Sequence, residues 1–357
     1  MVEELLLKED YISALRRERK SILLYGMGNG ADKIYALLEK NGIRVSGVFA
    51  SDGFVRGHCY RGMRVLGLRE AEERYGDFTA VQAFGYEGEG NPTVRALRLR
   101  HRVYVPNLPV YGGGLIDKEY LRANAARIER LYESLADDYS RRVFSGVLEL
   151  SVTGDPSVTE RIESICEPPA QYFSHRRLHI DIGAHHGDTV AEYALRNPGC
   201  SGIIALEPDR VSYGRLCENT AGMPAVTALN CAASDREGIS RFSGGGGRGS
   251  ALDGEGGDAV RTVTVDSLCG NTAVGANGKR VGSIRIDAEG EDMKVLYGAA
   301  NTIWNDRPAL CVAVYHRAYD IIELPRLLTG SGVGYRLSMG KKNCMPAWDV
   351  FLFAAKK

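Results

Sequence analysis

Four carboxylates and one histidine, each closing an apolar run, have the types and spacing in this 357-residue chain that suit them to chemistry. Asp181 ends LHID and opens onto Gly183-Ala184-His185-His186-Gly187-Asp188, and Glu207-Pro208 ends the next run, GIIALEP. Two acids at the ends of successive strands around a glycine turn are how a doubly wound α/β sheet holds an adenosine cofactor. At Glu207 an acceptor-only carboxylate can meet both ribose hydroxyls, and Pro208 stops the strand. The loop reads GxxxG, whereas a pyrophosphate turn needs GxGxxG; His185 stands where the middle glycine belongs, which disfavours a dinucleotide. S-adenosylmethionine carries no pyrophosphate and needs room for its aminocarboxylate and sulfonium, beneath which Asp181 would sit. The alternative for Asp181 is that it only caps the turn.

Further along, IRIDAEGED concentrates acids at another strand end. Alternation along a strand puts Asp287 and Glu289 on one face, as candidates to orient a substrate, accept its proton, or hold Mg2+ through oxygen. Glu291 and Asp292 fall in the first turn of the following helix and read as capping residues. His316 closes VAVYH at the same edge, a candidate general base with an intrinsic pKa near neutral. Between these blocks Asn230-Cys231-Ala232-Ala233 supplies small side chains that would leave a slot for an adenine ring. A separate turn, Gly26-Met27-Gly28-Asn29-Gly30-Ala31, fits GxGxxA with Asp52 about twenty residues on, a weak dinucleotide signature. A vestigial or substrate-docking role fits that unit better than a working NAD site.

The elements that must position these residues alternate between strand and helix. Residues 1–115 read as a small Rossmann-like α/β domain: strand Ser21 to Tyr25, a helix from Ala31 to Lys40, then the strands IRVSGVFASD and FTAVQAFG. Residues 116–172 read as a helical connector whose stripe of Leu121, Ala125, Ile128, Leu131, Leu135 and Tyr139 should pack on a sheet. In residues 173–357 the candidate strands are LHIDIG, GIIALEP, AVTALNCAA, SIRIDAEG and ALCVAVYH, with helices after the first, second and fourth. GYRLSMG and WDVFLFA, joined only by KKNCMPA, must run antiparallel. Crossover-linked strands closing with a hairpin predict the mostly parallel, doubly wound sheet of a class I methyltransferase. The segment SGGGGRGSALDGEGGD reads as a surface loop ahead of an active-site lid.

Composition narrows the partners. Basic and acidic residues balance at 45 each, so no global field recruits nucleic acid or an anionic membrane, and a small molecule is the expected partner. No apolar run reaches the length of a spanning helix and the charged start is unlike a secretory leader, so a cytoplasmic location is expected. The eight cysteines form no CxxC pair of the zinc or redox kind. Homo-oligomerisation is left open.

Taken together, IDIGAHHGDTV, LEPD, VTVDSL, IRIDAEGEDMKVLYGA, TIWNDRPALCVAVYH and WDVFLFA resemble the FkbM-type methyltransferase family from about Tyr172 to the C-terminus. The resemblance implies S-adenosylmethionine as cofactor and methylation of a hydroxyl on a small molecule, sugar or glycan. It puts Asp181, Gly183, Gly187 and Glu207 on the cofactor and Asp287, Glu289 and His316 toward the substrate; Ala184, Asp188, Pro208, Cys231 and Ala232 are the neighbouring candidates for cofactor contact. The rival readings are an NAD(P)-binding reductase or sensor working through the N-terminal turn, and a noncatalytic module that binds adenosylmethionine.

Overall fold

Apolar runs of five or six residues, buried along almost their whole length, form the strands Leu178–Ile182, Gly202–Leu206, Val281–Ile286 and Ala309–Ala313. Strands buried on both faces belong to a parallel sheet covered by helices, and that is what the computed structural model contains. It describes residues 1–55, 57–88, 92–243, 251–252, 258–270 and 278–356. These four strands pair in parallel, Val226–Leu229 joins on one side, and Val350–Lys356 followed by Tyr335–Lys341 closes the other. Numbered along the chain within this seven-stranded sheet, the order is 3-2-1-4-5-7-6. The last strand runs antiparallel to both neighbours, so the expected hairpin is present with its second arm inside the sheet.

Register brings the chemistry to one edge. Ile182 pairs with both Leu206 and Ile286, and Leu206 pairs with Leu229. Gly183, Glu207, Asn230 and Asp287 therefore leave neighbouring strands side by side.

Two local features depart from the sequence reading. AVTALNCAA is not one strand: it stops at Leu229, the Asn230 amide donates to the carbonyls of Glu207 and Pro208 at 2.9 and 3.0 Å, and Ala232–Ala233 pair instead with Thr262 and Val263 of a small separate sheet. A further helix, Asp320–Gly330, follows the fifth strand with Pro325 in its interior. Of the glycine-rich segment only Ser243, Ala251–Leu252 and Asp258 are among the described residues, and Ala251–Leu252 pair with Phe242 and Ser243.

In the N-terminal part, Met63–Gly67, Gly47–Ala50, Ser21–Tyr25, Phe78–Gln82 and Arg102–Tyr104 form a parallel sheet in that spatial order, with Cys59–Tyr60 antiparallel at its edge. The glycine turn at Gly26 leads into helix Asn29–Lys40, and Asp52 begins a short turn past the second strand. Two long helices, Lys118–Ser134 and Asp138–Thr153, and the short Ser157–Glu160 make the connector. Leu135 is extended, so the apolar stripe ends there, and the second helix docks on the edge strand, where Ser140 Oγ accepts from the Met339 amide at 2.9 Å.

The connection between the last two strands ties the parts together. Cys344–Met345 pair with Tyr86–Glu87, and Trp348 Nε1 donates to the Leu108 carbonyl at 3.2 Å. Gly85 makes room for that indole: a Cβ there would lie 2.6 Å from the ring.

Candidate active site

The carboxyl edges of the two sheets face one another across a cleft of about 830 Å³, within the range of small-molecule sites. One wall carries Gly183, Ala184, His185, Asp188, Thr189, Glu207, Pro208, Cys231 and Ala232. Beside them stand Arg285, Asp287, Glu289 and Tyr315, and the facing wall carries Gly30, Lys33, Gln82, Tyr111 and Trp348.

The glycine turn is built for backbone packing. Gly183 has φ +77°, and a Cβ on it would fall 2.0 Å from the Asp287 carbonyl oxygen, so the residue that forces glycine here is the neighbouring strand. Gly187, at φ +90°, abuts Leu216 of the next helix and is not on the cleft wall. His185 takes φ +48°, is exposed to the cleft, and donates its amide to Glu207 Oε2 at 2.8 Å. His186 stacks on it and turns toward Arg215, 3.2 Å from its Nε2.

Asp181 lies beneath the wall, fully buried, and is not exposed to the cleft. Its Oδ2 accepts from the Thr189 hydroxyl at 2.6 Å and its Oδ1 lies 3.4 Å from Arg285. Burial raises its pKa above the ordinary value, with Arg285 opposing. Glu207 faces the cleft with each oxygen already accepting one backbone amide, from His185 and from Asp209 at 2.9 Å. Burial pushes its carboxyl up to about 7. A carboxylate oxygen has a second lone pair, so both oxygens can still accept hydroxyl donors.

Arg285, which the sequence reading passed over, organises the acidic end. It alternates on its strand with Ile284 and Ile286, and its guanidinium donates to Asp287 Oδ2 at 2.6 Å while reaching Asp181 and the Gly183 carbonyl at 3.4 Å. Burial alone would raise the Asp287 pKa, but Arg285 and His316 hold it below the usual carboxylate range. Glu289, at φ +51° and partly exposed, is raised by burial despite His316.

His316 is fully buried just behind the wall. Its Nδ1 is 2.8 Å from Asp292 Oδ2, and its Nε2 lies 3.3 Å from Asp287 and 3.5 Å from Glu289. Burial favours the neutral ring, yet Asp292, Asp287 and Glu289 together lift its pKa to about 9. It is therefore a cation near neutral pH. Asp292 does not cap its own helix: it turns back to accept from the amides of Ala288 and Gly290 at 2.8 and 3.1 Å as well as facing His316. Glu291 makes no cap bond and pairs with Arg317 and Lys294. Tyr111, also absent from the sequence reading, fixes the loop from the N-terminal side. Its amide donates to the His316 carbonyl at 2.9 Å, and its ring packs on Gly290. Among the described residues no group of three or more His, Cys, Asp or Glu side chains is placed to hold a metal ion, and no helix is long and apolar enough to cross a membrane.

A seven-stranded sheet in the order 3-2-1-4-5-7-6 with a reversed last strand and acids at the carboxyl ends of its first two strands is the class I methyltransferase fold. Residues 181–337 match the family model of the methyltransferase FkbM domain. The crystal structure of methyltransferase FkbM from Methylobacillus flagellatus KT is similar over 98% of this chain and 95% of its own, with 16% identity and a TM-score of 0.67. More distant similarities include precorrin-6y C5,15-methyltransferase from Geobacter metallireducens GS-15, at 14% identity, coverage of 51% and 80%, and TM-score 0.32. Aeropyrum pernix fibrillarin, crystallised with natively bound S-adenosyl-L-methionine, aligns at 8% identity, 52% and 68% coverage, and TM-score 0.34. Curated proteins give no match.

Proposed function

We propose that this chain is an S-adenosylmethionine-dependent methyltransferase that modifies a hydroxyl on a small molecule, sugar or glycan. The observation that carries the reading is the single cleft in which the Gly183–Thr189 loop and Glu207 adjoin Asp287 and Glu289. The residues present suit the cofactor: Glu207 offers lone pairs to two ribose hydroxyls, Cys231 and Ala232 put small side chains on the cleft wall, and His185 stands where a pyrophosphate turn needs its middle glycine. When bound, the cofactor supplies an electrophilic methyl on a sulfonium. Transfer to an oxygen depends chiefly on alignment, so the work of the chain is to orient the acceptor hydroxyl and to receive its proton. Glu289 is the better proton acceptor, because its pKa is raised while that of Asp287 is lowered. His316 acts as a positioning cation, holding both carboxylates from behind.

Calorimetry on the full chain should give a cofactor Kd of roughly micromolar order, weakened at least about tenfold by Glu207→Ala. Glu289→Gln should keep that affinity and lose roughly 100-fold or more in transfer of labelled methyl to an extract acceptor. Absence of any cofactor heat in the wild type refutes the reading.

A further inference from the structure

The facing, N-terminal wall of the cleft has the marks of a ligand site of its own. Numbered along the chain, the five parallel strands of its sheet lie 3-2-1-4-5, so the topology reverses between Ser21–Tyr25 and Phe78–Gln82. Doubly wound sheets hold ligands at the carboxyl edge of such a switch point, and this edge opens into the shared cleft.

Three groups meet there. Helix Asn29–Lys40 begins on Gly28, which has no side chain to satisfy the first-turn amides, and a Cβ on Gly28 would meet nothing within 4 Å. Such an open helix start favours an anion. Gln82, 2% exposed, lines the cleft at the end of its strand. Its Nε2 donates to the Phe84 carbonyl at 2.8 Å, and its Oε1 has no hydrogen-bond partner among the described residues. A buried acceptor left unpaired is destabilising, so this oxygen calls for a donor. Lys33 adds an ammonium that donates to the Pro109 and Val110 carbonyls at 3.1 and 2.7 Å and keeps a third proton. The helix start and the strand end are in contact, since a Cβ on Gly30 would lie 2.7 Å from the Ala83 carbonyl oxygen.

We propose that this wall binds the methyl acceptor and that the acceptor is a hydroxylated molecule bearing a phosphate, a sugar phosphate in chemical class. The first-turn amides and Lys33 take the phosphate, and Gln82 Oε1 accepts from a hydroxyl. The assignment of this ligand as acceptor rests on the methyl-transfer reading, in which Asp287 and Glu289 line the opposite wall.

The test is calorimetry on the full chain with glucose 1-phosphate, glucose, inorganic phosphate and NADH. Glucose 1-phosphate should bind at least about tenfold more tightly than glucose or phosphate alone. Gly28→Asp puts a carboxylate on the first-turn amides at a position that tolerates a side chain. It should abolish binding of both phosphate compounds while the melting temperature holds or rises. Gln82→Leu should weaken glucose 1-phosphate about tenfold and leave inorganic phosphate unchanged. Adenosylmethionine affinity should be unaltered in both variants. Glucose 1-phosphate binding that is absent or untouched by both substitutions overturns the proposal, as does binding of NADH alone. If the phosphate results hold but the wild type gives no adenosylmethionine heat, the site stands and the methyl-transfer reading, with the ligand's role as acceptor, falls.

Discussion

His316→Gln separates a buried positioning cation from a general base, and its effect can be worked from three distances. Asp292 at 2.8 Å, Asp287 at 3.3 Å and Glu289 at 3.5 Å surround a ring with no exposure. Burial disfavours the charge, but the carboxylates prevail and carry the pKa from 6.5 to about 9. A folded-state pKa above the unfolded value stabilises the fold fully below pH 6.5, and that contribution is lost as pH rises through 9. At about 1.36 kcal/mol per pH unit the contribution is roughly 3 kcal/mol at pH 6 and close to zero by pH 10. Glutamine keeps a donor for Asp292 but no charge. Urea unfolding of wild type and variant at pH 6 and pH 10 should therefore show a stability gap that shrinks by about 3 kcal/mol across the interval. Taking the difference between the two proteins removes titrations they share, such as that of Glu207, which His316 does not influence. A gap of equal size at both pH values refutes the reasoning: the buried imidazole is then neutral, its Nε2 is a free acceptor, and the proton-accepting role passes from Glu289 to His316.

Gly183→Ala combines a left-handed backbone with a Cβ placed 2.0 Å from a neighbouring strand's carbonyl oxygen. Roughly 3–5 kcal/mol of unfolding free energy should be lost in urea titration, and a change under about 1 kcal/mol would mean the two strands part freely. Cofactor affinity should follow the protonation of Glu207, whose carboxyl sits near 7 in the free protein. Hydroxyl donors favour its charged form, so affinity should fall by up to about tenfold per unit as pH drops below 7, with proton release seen as buffer-dependent heat. An affinity flat from pH 5.5 to 8 would take Glu207 off the cofactor.

The parallel sheet was legible because its strands are short apolar runs ending in glycine, proline or acid, a pattern that survives without tertiary information. Asp287, Glu289 and His316 were legible for the same reason, as polar residues at predicted strand ends. Arg285 was not, because a charged residue in the middle of a strand carries no periodic signal and becomes meaningful only once Asp181 and Asp287 are placed on either side of it. Asp292 misled the reading: first-turn acids usually face their own helix, and here the loop amides and His316 compete for it successfully. The break after Leu229 was hidden because Asn230 satisfies carbonyls through its side chain, which apolar patterning does not register. Helix Asp320–Gly330, with Pro325 in its interior, went unread.

The sequence by itself determined the alternation of strands and helices through most of the chain, the glycine turn after Asp181, and the identity of the acids at the sheet's carboxyl edge. These follow from local sterics and from the period of burial. Only the tertiary structure decided what those acids are to one another. Charge states at Asp287, Glu289 and His316 depend on distances of about three ångströms between residues up to 29 positions apart. The shared cleft depends on a docking of two sheets, fixed by Trp348, Gly85 and the pairing of Cys344–Met345 with Tyr86–Glu87, that no local pattern encodes.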